Sequence, residues 1–152
     1  MRTAPSAVLA AGSSVAAAAI GGIGARRAPE VYGKLDKPVW APPAGAFGPV
    51  WTALYAAMGV AAFRLARRSA RTALRLHAAQ LAINAAWPLA FFSVRDKRVS
   101  LGMILVLDAL VAAEVAAAAR EDPVAAGLLA PYLAWCLFAT ALNATVSDPA
   151  LA

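Results

Sequence analysis

The sequence predicts an all-α integral membrane protein, a bundle of five transmembrane helices in a single domain over residues 1–152. Three observations predict it. Hydrophobic residues make up 62% of the chain and charged residues 14%, whereas a soluble domain is roughly a quarter charged. Such a chain lacks the polar surface to coat itself in water. The uncharged runs also have the lengths a bilayer demands. Thr3 to Ala25, Pro38 to Phe63, Leu76 to Val94 and Pro123 to Ser147 contain no Asp, Glu, Lys or Arg, and Val99 to Ala119 carries only Asp108 and Glu114. A helix of about 20 residues crosses a hydrocarbon core of about 30 Å, so five segments are long enough to span. Finally, none of the runs alternates, which excludes an outer-membrane barrel.

The net charge of +6 is distributed for lipid rather than for nucleic acid. The cations sit in short clusters at predicted helix ends (Arg26 and Arg27, Arg64 to Arg75, Arg95 to Arg98), where basic side chains meet lipid headgroups. Membrane lipid is therefore an expected partner and nucleic acid is not. With five spans, the N-terminal side collects Arg2, Arg64, Arg67, Arg68, Arg71, Arg75 and Arg120, and the other side also collects seven of the 14 cations. Charge bias gives no orientation. The one cysteine, Cys136, lies in an apolar run, so no intrachain disulfide and no thiolate metal site is expected. No cofactor is expected either.

The first predicted helix, about residues 6–25, is built from Ala, Gly, Val and Ser. Arg2 and the Ala-rich run resemble a signal peptide, but the apolar stretch is long and Arg26-Arg27 follows it, so a retained helix is expected. Ala17, Gly21 and Ala25 recur every four residues, a small-xxx-small pattern that lets helix backbones approach closely. Small residues of this helix and the third are expected to contribute to a homodimer contact.

A proline-rich loop, about residues 26–46, comes next. Pro38, Pro42 and Pro43 lack an N–H and bias the residue before each to extended geometry, so Lys37 to Ala46 cannot be a regular helix. With Tyr32 and Trp40 it reads equally as a rigid cap over a pocket and as an interhelical loop anchored at the membrane interface.

The second helix, about residues 47–67, places Phe47, Trp51, Tyr55 and Met58 on one face. The third, about residues 72–94, carries His77, Gln80, Asn84 and Trp87. These four fall within about 80° of one another around the helix axis. Polar side chains at membrane depth face protein or a cavity, so Asn84 looks inward. Gln80 reads equally as interhelical glue, His77 reads as solvated near the membrane surface, and Pro88 should bend the helix. The fourth helix, about residues 99–120, holds Asp108 near its middle, which must be paired, hydrated or protonated. Glu114 is expected at an interface or a neighbouring subunit. Six residues apart, the two carboxylates point to different faces and form no acid–base pair.

The fifth helix, about residues 124–146, aligns Tyr132, Trp135, Ala139 and Asn143, with Pro131 near its start. Three helices thus present aromatic residues and two add an amide. A flat, mostly apolar ligand with a few polar edges suits such a lining.

These residues resemble a known family. Lys37 to Pro43 reads KPVWAPP and Phe47 to Tyr55 reads FGPVWTALY. Gln80 to Trp87 reads QLAINAAW and Pro131 to Asn143 reads PYLAWCLFATALN. Together they are similar to the TspO/MBR family of tryptophan-rich sensory proteins, the bacterial branch of the mitochondrial translocator protein or peripheral-type benzodiazepine receptor. The likeness covers nearly the whole chain in order. It implies a five-helix bundle, usually dimeric, in a bacterial cell envelope, with a pocket roofed by the first loop. It also implies ligands: porphyrins such as protoporphyrin IX, isoquinoline carboxamides, benzodiazepines and, in animals, cholesterol.

Positions matching the family pocket are Tyr32, Trp40, Trp51, Asn84, Trp135, Ala139 and Asn143; Phe47, Tyr55 and Trp87 join them from the helix stripes. Trp51 and Trp135 are expected to face each other across the cavity. The family's sterol-associated motif has a tyrosine and a basic residue where this chain has Ala144 and Asp148, so sterol stays a possible but doubtful partner there. The function implied is a receptor, sensor or translocator for a flat hydrophobe. The alternative is light-dependent porphyrin breakdown, with Trp51 and Trp135 as redox-active side chains. An ion-coupled transporter is weakly supported, because Asp108 has no partner of opposite charge near mid-depth.

Overall fold

The computed structural model describes residues 4–149; Arg2 lies outside them. Among the described residues there are six α-helices: α1 (Ala4–Gly24), α2 (Ala28–Lys34), α3 (Phe47–Arg67), α4 (Arg71–Pro88), α5 (Lys97–Glu121) and α6 (Pro123–Thr145). A 3-10 turn (Ala44–Ala46) leads into α3, and a π-helical segment (Leu89–Val94) continues α4.

The long helices form a closed ring. α1 packs on α3 and α4, α4 on α5, α5 on α6, and α6 on α3. Lipid tails are as apolar as Leu, so packing and hydrogen bonds, rather than water, hold such a ring together. The core therefore runs to close-fitting residues, with Met58, Ala61, Leu65, Val111, Leu129 and Tyr132 fully buried. Large side chains such as Leu9, Ile20, Leu105 and Leu137 are left outward for lipid.

Both ends of the ring are fastened. At one, Arg64 Nη2 of α3 lies 3.0 Å from Asp122 Oδ2, and Asp122 also accepts from Val124 N and Ala125 N as it caps α6. The Arg64 hydrogen bond holds the Asp122 carboxyl below its ordinary value, helped by those N–H groups. At the other end, Asp36 and Ser147 exchange backbone hydrogen bonds, Lys97 Nζ donates to Val146 O, and Arg95 Nε donates to Asp148 at 2.8 Å. The first loop, the turn before α5 and the end of α6 thus meet at one end. The α3–α4 turn lies at the other.

Four sequence expectations change here. The 26–46 loop is not wholly irregular, because α2 occupies Ala28–Lys34. Pro29 sits in its first turn, where a missing N–H costs nothing, and Lys34 pairs with Glu30 one turn apart. The third predicted helix is regular only to Pro88. Beyond it the chain winds more widely, and Arg95 ends the segment in the left-handed region at φ 60°.

The stripe of Ala17 and Gly21 is buried against this chain's own α3 and α4, so it offers no dimer face. And only four helices (α1, α3 with its leading turn, α5 and α6) are long and apolar enough to cross a membrane by composition. With Arg71, Arg75, His77, Gln80 and Asn84 among its 18 residues, α4 falls short.

Candidate functional site

Between the helices lies a cavity of about 320 Å³. Its floor and walls come from every long helix. α3 gives Phe47, Trp51 and Tyr55, and α4 gives Asn84 and Trp87. α6 gives Trp135, Ala139 and Asn143. α1 contributes the Gly21-Gly22 step, where a Cβ on Gly21 would meet Tyr55 Oη at 3.6 Å. The roof is Tyr32 of α2 with Ala44 of the following turn. Tyr32 is fixed by donating its hydroxyl to Pro42 O at 2.7 Å, and Lys37 Nζ ties down the carbonyls of Tyr32 and Leu35. The proline pair thus supplies a rigid acceptor that holds the roof residue in place.

The aromatic rings interlock edge to face. Phe47 lies 5.1 Å from Tyr32 and 5.9 Å from Trp135, centroid to centroid. Trp51 and Trp135 are 6.4 Å apart at 89°. That is direct contact in the favoured edge-to-face range. The two tryptophans therefore form one continuous wall and do not sandwich the cavity. On the far side Trp87 stacks on Phe91 at 5.0 Å and spends its N–H on Ser100 O.

Nine of the ten residues nominated from sequence line this cavity; Trp40 does not. It is 46% exposed, and its ring leans on Phe138 outside the wall, because the turn after Pro38 points it away from the bundle. Ala18, Phe91, Phe92, Ile104, Leu107 and Cys136 line it without having been singled out. As apolar residues in apolar runs they carried no signal of their own.

Two residues that line the cavity each bury a polar atom that has no partner among the described residues. Asn143 is 1% exposed; its Oδ1 accepts from Ser100 Oγ at 3.4 Å, but its Nδ2 has no partner. Trp135 Nε1 is also buried and unpartnered. Native interiors rarely leave buried N–H groups unpaired. Two donors thus lie covered just behind the cavity lining.

Asn84 differs. Its Oδ1 accepts from the Tyr55 hydroxyl and its Nδ2 donates to Tyr132 Oη at 2.8 Å. Tyr132 donates in turn to Gln80 Oε1 at 2.9 Å, and Gln80 Nε2 faces His77 Nδ1 at 3.4 Å. His77 Nδ1 lies 2.7 Å from Glu114 Oε1, and its Nε2 lies 3.2 Å from Ser14 Oγ. His77 is therefore 2% exposed and Glu114 0% exposed, contrary to the solvated histidine and interfacial glutamate expected from sequence. The carboxylate has a titratable partner after all, on a different helix. Asp108, the other intramembrane carboxylate, accepts from Thr140 Oγ1 at 2.6 Å. Ser14, His77 and Glu114 are bonded in the order of a hydrolase triad. None of them lines the cavity, and Ser14 is buried.

Fold and site define a class: a helical membrane protein with an aromatic-walled cavity between its helices, roofed by its first loop. The TspO/MBR family model matches residues 7–147, and the chain belongs to that family. It is accordingly an integral membrane protein. It is 41% identical to the human "Translocator protein" over 118 residues, 74% of this chain and 70% of that one. It is 40% identical to the "Tryptophan-rich sensory protein" of Cereibacter sphaeroides over 115 residues, covering 75% and 73% of the two chains. The "Tryptophan-rich protein TspO" of Chlorobaculum tepidum is 35% identical over 120 residues, 76% of each chain.

Proposed function

We propose that this protein is a membrane receptor, sensor or translocator that binds a flat, largely apolar ring system of the porphyrin type, such as protoporphyrin IX, in the intrabundle cavity. The observation that carries this reading is the pair of unpartnered donors, Trp135 Nε1 and Asn143 Nδ2, just behind a mostly apolar, aromatic wall. A ligand that supplies an acceptor there while covering the rings removes the penalty of two unpaired N–H groups. The carbonyl of an isoquinoline carboxamide fits the same pair.

A second hollow of about 530 Å³ shares Phe91 and Val146 with the cavity and is edged by Arg95, Lys97 and Arg98 together with Asp96 and Asp148. Sterol is not part of this reading, because Asp148 is held by Arg95 where the family's sterol motif carries a basic residue. The names of the relatives, a translocator and a sensory protein, agree with a binding role.

The test is a fluorescence titration of protoporphyrin IX against wild type, Trp51→Phe, Trp135→Phe and the double variant. Tryptophan quenching and an affinity at least tenfold weaker in the double variant, about 1.4 kcal/mol, are expected. Unchanged affinity with an intact circular dichroism spectrum moves the site elsewhere.

The direct Trp51–Trp135 contact favours one further reading, photochemical porphyrin breakdown with dioxygen as the oxidant and these indoles as redox-active side chains. Illumination of the purified complex with and without dioxygen separates binder from enzyme. Stable porphyrin absorbance in both arms rejects breakdown.

In either role, five helices span the bilayer, α4 with its π-helical continuation being the fifth. The end-to-end fastening described above supports this. Its polar stripe faces the bundle and not lipid, so its low hydropathy does not bar it. The unit is a homodimer in this proposal, with lipid covering the remaining outer faces.

A further inference from the structure

We propose that His77 and Glu114, with Ser14, form an intramembrane proton-binding site whose occupancy sets the hydrogen-bonding character of the cavity wall at Tyr55. The cavity lies at one end of an unbroken run of side-chain hydrogen bonds and this couple at the other. In order, the groups are Tyr55, Asn84, Tyr132, Gln80, His77 and Glu114, from α3, α4, α6, α4, α4 and α5. Of these, Tyr55 and Asn84 line the cavity, while His77, Gln80, Glu114 and Tyr132 are each no more than 2% exposed.

Buried ionisable groups in a membrane are costly and mark ion or proton sites. Glu114 also has its second carboxylate oxygen, Oε2, buried without a partner. A structural pair gains nothing from that vacancy. A group that alternately holds and releases a proton has a use for it.

The run has a direction, and amides can reverse it. In the structure Tyr55 donates to Asn84, Asn84 to Tyr132, and Tyr132 to Gln80, which leaves the Gln80 N–H toward the couple. An anionic couple attracts that N–H. The imidazole Nδ1 faces Glu114 and Nε2 faces Ser14, so a proton taken up there acts on Gln80 through charge: it cancels the anion, and the amide can turn its carbonyl toward the couple instead. Turning the Gln80 and Asn84 amides through half a turn reverses every bond with almost no movement of heavy atoms. Gln80 then donates to Tyr132, Tyr132 to Asn84, and Asn84 to Tyr55. The Tyr55 hydroxyl, previously committed inward and offering the cavity only its oxygen, is freed to donate into it. One proton taken up at the couple changes the wall from acceptor to donor there.

The groups facing the couple leave it dominant in this region. Among the described residues α1 presents Ser14 and no charge. α3 presents Met58 against Gln80, and its Tyr55 is part of the run. α6 presents Tyr132, with Cys136 one turn on and buried. On α5, Asp108 is six residues from Glu114 and engaged by Thr140. The nearest cation on α4, Arg75, is exposed.

The chain has one histidine, so protein labelled with ¹⁵N-histidine and ¹³Cζ-tyrosine gives one imidazole and three phenol signals by nuclear magnetic resonance in detergent. The Tyr55 signal is assigned by its loss in Tyr55→Phe. Without ligand, the imidazole signal should change with pH in one protonation step, and the Tyr55 signal should move with it. In Glu114→Gln the step should shift or vanish. In Gln80→Leu, or in Tyr132→Phe, which keeps the ring volume, the histidine step should remain while Tyr55 no longer follows it.

The ligand arm rests on the porphyrin-binding reading. Protoporphyrin IX affinity should change by about fivefold across the step in wild type, the low end for coupled sites, beyond any change in Tyr132→Phe. A Tyr55 signal that ignores the histidine, or a histidine that shows no protonation step at all, overturns the proposal. Failure of protoporphyrin IX to bind at all overturns the function proposed above, and the ligand-free signals then decide this inference alone.

Discussion

Asn143 and Trp135 carry the most informative atoms beside the cavity, because each buries an N–H that nothing among the described residues accepts. If a ligand accepts from them, Trp135→Phe keeps ring contact but loses a donor. Its cost to protoporphyrin IX affinity should then fall between nothing and that of Trp135→Ala, which also opens a void. Asn143→Leu should weaken binding too. Wild-type affinity in both Trp135→Phe and Asn143→Leu, measured by quenching, would show that neither N–H meets the ligand.

Asp122 is a residue-scale prediction about stability. Its folded value is lowered, so its contribution is present above the ordinary carboxylate range near about 4 and lost as pH falls through the folded value. Asp122→Asn should therefore lower the melting temperature in detergent at neutral pH. The gap to wild type should shrink as the medium is acidified. A gap independent of pH would remove the Arg64 contact from the account.

At the scale of elements, α1 is a wall of the cavity. Its glycines let α3 and α4 approach, and Gly21 has Tyr55 Oη, Ala85 Cα and Pro88 Cγ all within 4 Å of where a Cβ would stand. Gly21→Leu should therefore push a side chain into the cavity and abolish protoporphyrin IX binding. The oligomeric mass by light scattering should match wild type. Loss of the dimer with binding intact would return α1 to the subunit interface. The π-helical continuation of α4 works the same way. By widening after Pro88 it brings Phe91 to the cavity and stacks it on Trp87.

For the whole molecule, the number of spans fixes which ends share a side of the membrane. Five spans place residues 70 and 152 on opposite sides, whereas four, with α4 lying outside the bilayer, place them together. Reporter fusions at those two positions should give opposite orientations. Identical orientations would contradict the end-to-end ring, in which the Asp36–Ser147 bridge joins the first loop to the end of α6.

Much of this was legible in the chain, for physical reasons. A bilayer demands uncharged runs of fixed length, so the long helices could be placed from sequence, with α3 as expected at 47–67 and the others within about two residues, except that α4 ends at Pro88 and continues as the π-helical segment to Val94. Helical periodicity likewise put Trp51, Asn84, Trp135 and Asn143 on inward faces, and they line one cavity. Only tertiary structure decided the rest, because it depends on which helix stands beside which. The α1 stripe could have faced a second subunit or its own bundle; the ring order turned it inward. Glu114 had no partner within reach on its own helix, and it met His77 only once α4 packed on α5. Trp51 and Trp135 shared a cavity from sequence, yet the α3–α6 contact made them touch edge to face, leaving one wall for a ligand instead of a clamp. Periodicity fixes the face of a helix, and packing fixes what that face meets.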